Sequence, residues 1–375
     1  MPGLDGQDGD DAMMVPGPPG TGTVASSSDA SVTIAGADTI INANWLNGFG
    51  LINGYLSTSV AANALTIAIK NIAGTDPSAA NPVKVVFRNV TAGTGDYTVI
   101  TLTAAASLVI SSGSTMGFAT ALAGRLWVVG FNDGGTFRLG AVNCLNTISS
   151  SIFVMPLQDG IASSTAEGGA GAADSAHIIY TGTAVTSKAM RVLGYLEWSD
   201  GLTTPGTWDA VPTLVQAMGW GVHLPGSVVQ HAQEFDGEVQ TGTTVQVFDD
   251  TIPQNTEGNE FITTPITPSS KANLLVINGQ FHLAISAGAG IMASLFQDSV
   301  ADALSASWTR TDAVNGSVGP VQIRHAMRAS TVGSTTFKVR GGGGAAGTCT
   351  FNGFSAARKL GGVMCSMLQI TEIMA

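Results

Sequence analysis

The sequence predicts a mainly β protein: a short collagen-like anchor, then two β-sandwich, jelly-roll-like domains, assembled as a homotrimer. Three observations carry this expectation. Apolar and polar residues alternate in short runs cut by turn residues, the period of half-buried strands. Only 11% of the 375 residues are charged, while glycine occurs 48 times. Near the N-terminus, glycines recur at every third position.

Residues 1–30 read as a collagen-like anchoring segment and linker. Gly3, Gly6 and Gly9 are spaced by three, as are Gly17 and Gly20, with Pro16, Pro18 and Pro19 around them. A triple helix needs this spacing because only glycine fits where three chains meet at the axis. The register breaks at Ala12–Val15, and two short runs do not hold a triple helix alone. The segment reads either as a flexible Gly/Pro-rich tail or as a threefold stalk or socket peptide that docks into another protein, with Gly3, Gly6, Gly9, Gly17, Pro18 and Gly20 as candidate attachment residues. Asp5, Asp8, Asp10 and Asp11 make it acidic, which favours a basic partner.

Residues 31–225 read as a β-rich middle domain. Leu65, Ile67 and Ile69 alternate with Thr66, Ala68 and Lys70, and Val83, Val85 and Phe87 with Lys84 and Arg88. LWVVGF meets Asn132-Asp133-Gly134-Gly135 and continues as TFRLGAV. Asp-Gly between apolar runs signals a hairpin, since both residues tolerate positive φ. Strands are also expected at 152–157, 177–181 and 190–198. Short helices are expected near 115–124, 211–218 and 298–306, the last of these in the next domain.

Gly221, Pro225 and Gly226 mark a break, and residues 226–375 read as a β-sandwich tip domain. Leu275, Ile277, Phe281, Leu283 and Ile285 point one way, Asn278, Gln280 and His282 the other. Val321, Ile323, His325 and Met327 oppose Gln322, Arg324 and Arg328. The final run VMCSMLQITEIM is apolar on both faces, which suggests burial on two sides, sheet within and trimer axis without.

Composition excludes several classes. The formal charge of -11 disfavours nucleic acid, whose phosphates attract lysine and arginine. No apolar stretch is long enough for a membrane span. The acidic start lacks the features of a signal peptide, so synthesis in a cytosol is expected. Cys144, Cys349 and Cys365 form neither a disulfide framework nor a zinc motif. So low a charge leaves a lone monomer poorly guarded against association, which points to an obligate oligomer.

With these residues in view, the chain resembles tail-fibre and receptor-binding proteins of tailed bacteriophages. The resemblance rests on the start PGLDGQDGDD…PGPPG and on middle segments such as LSTSVAANALTIAIK, RLWVVGF and SKAMRVLGYLEWS. It rests too on the ending STTFKVRGGGG…RKLGGVMCSMLQITEIMA, with its Ile370–Ile373 strand. It covers nearly the whole chain. It implies a non-enzymatic homotrimeric virion protein, held by its N-terminus to another virion protein and presenting its C-terminal domain to a host surface glycan or protein. A capsid or neck fibre of the same architecture is the alternative, and a polysaccharide depolymerase is less favoured. No cofactor, metal or membrane insertion is implied.

The chemistry-bearing motifs are sparse. Gly342, Gly344 and Gly347 satisfy GxGxxG, but the strand-like Cys349-Thr350-Phe351 follows where a nucleotide site needs a helix. The five histidines lack HxH or HxxxH spacing, leaving only a threefold arrangement of His282 as a metal option. Asp249-Asp250 and Glu257/Glu260 are the candidate acid pairs for glycoside chemistry, and they read as solvated loop acids. Trp127 and Trp198 sit in apolar strands and read as structural, as does Trp45. Trp308, Arg310, Asp312 and Asn315 share one turn-rich stretch, where an aromatic with polar neighbours suits a sugar. These four are the candidate receptor-binding residues, the alternative being that Trp308 fills the core or a subunit contact.

Overall fold

The computed structural model describes residues 50–375 except 92, 149–150, 173, 220, 288–289 and 311–316, together with short strands at Thr23–Val24, Ser31–Thr33 and Ile40–Asn42. The six glycine and proline attachment candidates at residues 3–20, Trp45, Asp312 and Asn315 lie outside the described residues.

The protein is mainly β. Eight principal strands build the first group: β1 (Gly54–Ala61), β2 (Ala64–Asn71), β3 (Val83–Arg88), β4 (Tyr97–Leu102), β5 (Ala106–Ile110), β6 (Gly124–Asp133), β7 (Thr136–Val142) and β8 (Lys188–Trp198). β8, β6 and β7 form the centre of a seven-stranded sheet. Two three-stranded sheets cover it, one containing β1, β2 and β5, the other β3 and β4. Their alternating apolar residues, Leu65, Ile67, Ile69, Val83, Val85 and Phe87, form one core with Leu126 and Val128 of β6. Phe118 closes that core edge-on to Trp198 and Trp208, with ring centroids 5.5 and 5.3 Å away. The other face of β6 is buried as well, with Trp127, Val129 and Phe131 in a second core. This explains a strand that reads as a continuous apolar run. The hairpin predicted at Asp133-Gly134-Gly135 joins β6 to β7, with Asp133 opposite Thr136 and Trp127 opposite Val142.

Eight further strands build the second group: β9 (Val228–Asp236), β10 (Asn259–Ile266), β11 (Leu274–Ile285), β12 (Gly290–Gln297), β13 (Ser305–Arg310), β14 (Gly319–Arg328), β15 (Thr335–Gly343) and β16 (Ser366–Ile373). One sheet runs β9-β16-β11-β14 and the other β10-β15-β12-β13. Numbered within the group, these orders are 1-8-3-6 and 2-7-4-5, a jelly-roll path. Ile277, Phe281, Leu283, Val321, Ile323, Leu368 and Ile370 of one sheet meet Ile262, Leu295, Phe337 and Val339 of the other.

Three local expectations are corrected. Residues 115–124 form turns, with Met116, Gly117 and Ala121 at positive φ, so no helical hydrogen-bond ladder starts there. Residues 214–217 are a strand beside β8, and 298–306 turn into β13. Among the described residues the helical content is one 3-10 turn, Leu360–Gly362. In β16 burial alternates: Leu368 and Ile370 are buried, while Met367, Gln369, Thr371 and Ile373 are half-buried. Within one chain this strand is therefore covered on one side only.

A buried polar network joins the two groups. Arg125 of β6 donates through Nε to Glu197 at 3.1 Å, and through Nη1 to Asn273 Oδ1 at 3.0 Å and the Ala375 oxygen at 2.6 Å. Trp127 Nε1 donates to the same Ala375 oxygen at 3.0 Å. Asn273 also donates to Glu372 at 2.6 Å, and Ser270 to Glu197 at 2.8 Å. Met374 sits in the core of the first group beside Trp127 and Val192. From the other side Arg328 reaches Ala123 oxygen at 2.7 Å, and burial lowers its pKa to about 10.

Candidate functional site

Trp308 and Arg310 lie on β13, the last strand of the four-stranded sheet. Alternation along a strand places them on the same face, and both are exposed, Trp308 by 45%. Opposite them on β12 stand Met292 and Gly290. A β-carbon at Gly290 would fall 1.9 Å from the Trp308 indole nitrogen, so the ring lies flat across the strand only because glycine is there.

The partner of Trp308 comes from the segment before β10. Thr244 N donates to Asn259 Oδ1 at 2.9 Å, Gln246 N to Gly343 oxygen at 3.1 Å, and Val247 N to Glu257 at 2.9 Å. The Gln246 amide donates to the Ser294 hydroxyl beneath. These bonds hold the segment across the four-stranded sheet. Gly342 allows the approach, since a β-carbon there would meet Thr244 oxygen at 2.8 Å. The GxGxxG glycines thus sit at the end of β15 and in the loop after it, between strands. Phe248 then stacks on Trp308 with centroids 5.2 Å apart and planes 18° apart.

The result is an aromatic shelf at one edge of the sandwich, with Phe248 64% exposed. Beside it, Asp249 accepts from Thr251 N and Oγ1 at 2.9 and 2.6 Å, which holds its carboxyl below the usual carboxylate range. Asp249 follows Phe248 in the chain, and Arg310 shares the strand face of Trp308. Such a surface can stack on the apolar face of a sugar or an aromatic side chain. Sequence reasoning missed Phe248. Its signal is a phenylalanine beside two aspartates in a turn-rich segment, where burial is not expected.

The other candidates hold the fold. Glu257 accepts from Val247 N and Gln254 N, at 2.9 and 3.1 Å. Glu260 lies 3.7 Å from Lys338 and from Arg340. Trp127 and Trp198 are buried. Among the described residues no three His, Cys, Asp or Glu side chains are grouped for a metal. His282 is half-buried on the outer face of β11, where burial lowers its pKa. His325 lies on the inner face of β14, lowered for the same reason. Burial pushes the Cys349 thiol up to about 12 and Cys144 higher still.

No family model and no curated protein matches the chain. Solved structures give distant likenesses. Eiger TNF from S. frugiperda is 9% identical at a TM-score of 0.24, covering 38% of this chain and 92% of its own. Infectious bursal disease virus, Gt strain, is 10% identical at 0.25, covering 87% and 78%. A β-porphyranase of glycoside hydrolase family 86 from Bacteroides plebeius is 8% identical at 0.21, covering 86% and 37%. Scores this low establish no common fold with any of them.

Proposed function

We propose that the chain is a virion fibre protein of a tailed bacteriophage, a homotrimer that adheres to the host surface by multivalent binding. The supporting observation is the outer face of the β9-β16-β11-β14 sheet. Across it in register run Phe235, Met367, Gln280 and Gln322, and beside them Gln233, Gln369, Asn278 and Arg324. One of these eight side chains is charged. At a threefold axis every side chain faces its own copies, so a charge meets like charge and a carboxamide meets a group that both donates and accepts. A broad face of amides with Met367 and Phe235 therefore suits self-association better than exposure.

Three copies place three Phe248–Trp308 shelves on one particle, and weak single contacts gain avidity where geometry lets them engage together. The collagen-like start supplies the virion end in this reading. The experiment is the mass of the purified protein in solution. The expected value is about 114 kDa, three times the 38.0 kDa chain; a stable 38.0 kDa species at all concentrations rejects the trimer.

A further inference from the structure

A cleft of about 400 Å³ opens between β4, β5, the β6–β7 hairpin and the loop at Gly182–Thr183. Its volume falls within the ~300–1,000 Å³ of small-molecule sites. Thr101, Thr103, Ser107 and Thr183 line it and are all exposed. Among the described residues, none of their side-chain hydroxyls has a hydrogen-bond partner. Arg138 is the charged residue of the lining. Its Nε is buried without a hydrogen bond, 3.5 Å from Asp133 Oδ2. Asp133 gives its other oxygen to Lys188 at 3.2 Å. One carboxylate thus faces two cations, and the cluster keeps a net positive charge in a chain of formal charge -11.

We propose that this cleft binds a sugar carrying a carboxylate, as in an acidic polysaccharide. The guanidinium fork fits a carboxylate through paired N–H donors. The four hydroxyls, each able to donate and accept, fit the ring hydroxyls. The inference deepens the adhesive reading by naming a ligand class, and it is decided separately. A monomeric chain that still binds fails the trimer and keeps the cleft, while a trimer that does not bind does the reverse.

The test titrates the full chain with glucuronate, glucose and acetate, following binding by calorimetry or ligand-observed NMR. Glucuronate is expected to bind at least tenfold more tightly than either control. Arg138→Gln should weaken it at least tenfold. Gly182→Leu should block it: a β-carbon at Gly182 meets nothing within 4 Å, so the side chain enters open space at the rim without disturbing the fold. Circular dichroism checks that both variants are folded. The proposal is overturned by no glucuronate binding by the wild type, by unchanged binding in either folded variant, or by equal binding of acetate, which would leave an adventitious ion only. Equal binding of glucose removes the role of Arg138 and overturns it too.

Discussion

The Arg125 guanidinium meets the Glu197 carboxylate in the interior, with side chains 2% and 8% exposed, on residues that face each other in the β6–β8 register. Arg125 then spans the junction to Asn273 and Ala375. Removing one partner of a buried pair leaves the other charge uncompensated. Arg125→Met is expected to cost about 3–5 kcal/mol in urea denaturation. It should also separate the unfolding of the two strand groups into two transitions.

The aromatic shelf predicts the opposite balance. Phe248 packs mainly on Trp308 and is mostly exposed. Phe248→Ala should lower stability by only about 0.5–1.5 kcal/mol, the worth of an aromatic pair. The same denaturation assay checks it; a larger loss would mean that the shelf is core.

The amide face gives a sharper test of the trimer. Gln369 lies at the centre of that face, between Gln233 and Asn278. Gln369→Glu places three carboxylates around one axis. The expected outcome is dissociation at pH 7 and reassociation as pH falls below the ordinary glutamate range, roughly 4.3. Gln369→Ala should stay trimeric. Sedimentation velocity distinguishes the cases.

His282 and His325 give a pH dependence of known sign. Burial lowers both below the ordinary 6.5. Between their folded values and 6.5 the unfolded chain binds more protons, so stability falls as pH drops through that window and is full above it. Urea midpoints at pH 5 and 7.5 should differ, with less difference in His325→Gln.

Thiol reactivity should separate the three cysteines. Cys144 and Cys349 are buried, and Cys349 is raised to about 12. Cys365 is half-buried, and its thiol is raised by burial and by the nearby Asp236 carboxylate. An aromatic disulfide reagent at pH 8 should label Cys365 slowly in the native chain and all three in denaturant. Fast native labelling of Cys144 would contradict the closed core.

Much of the strand pattern was legible because alternation is local. Val83, Val85 and Phe87 needed only their own neighbours to declare a face. The expected helices failed where φ decided against them: at Met116 and Ala121 nothing in the apolar pattern betrays a positive φ. Trp308 was legible as a candidate contact aromatic but was expected in a turn-rich stretch, where it lies on an edge strand, and Phe248 is 60 residues away and joins it through a segment pinned by backbone bonds. The Arg125–Asn273 bond spans 148 positions, and no periodicity encodes such a meeting. The Arg138 cleft was hidden for the same reason, since its lining comes from three separate stretches, 100–107, 135–139 and 182–183.

Met374 fills a place beside Trp127 in the core of the first strand group. That core is closed by a residue from the far end of the second strand group. Removing the Met374 side chain therefore opens an apolar gap about 250 positions away along the chain, beside a strand it never neighbours in sequence.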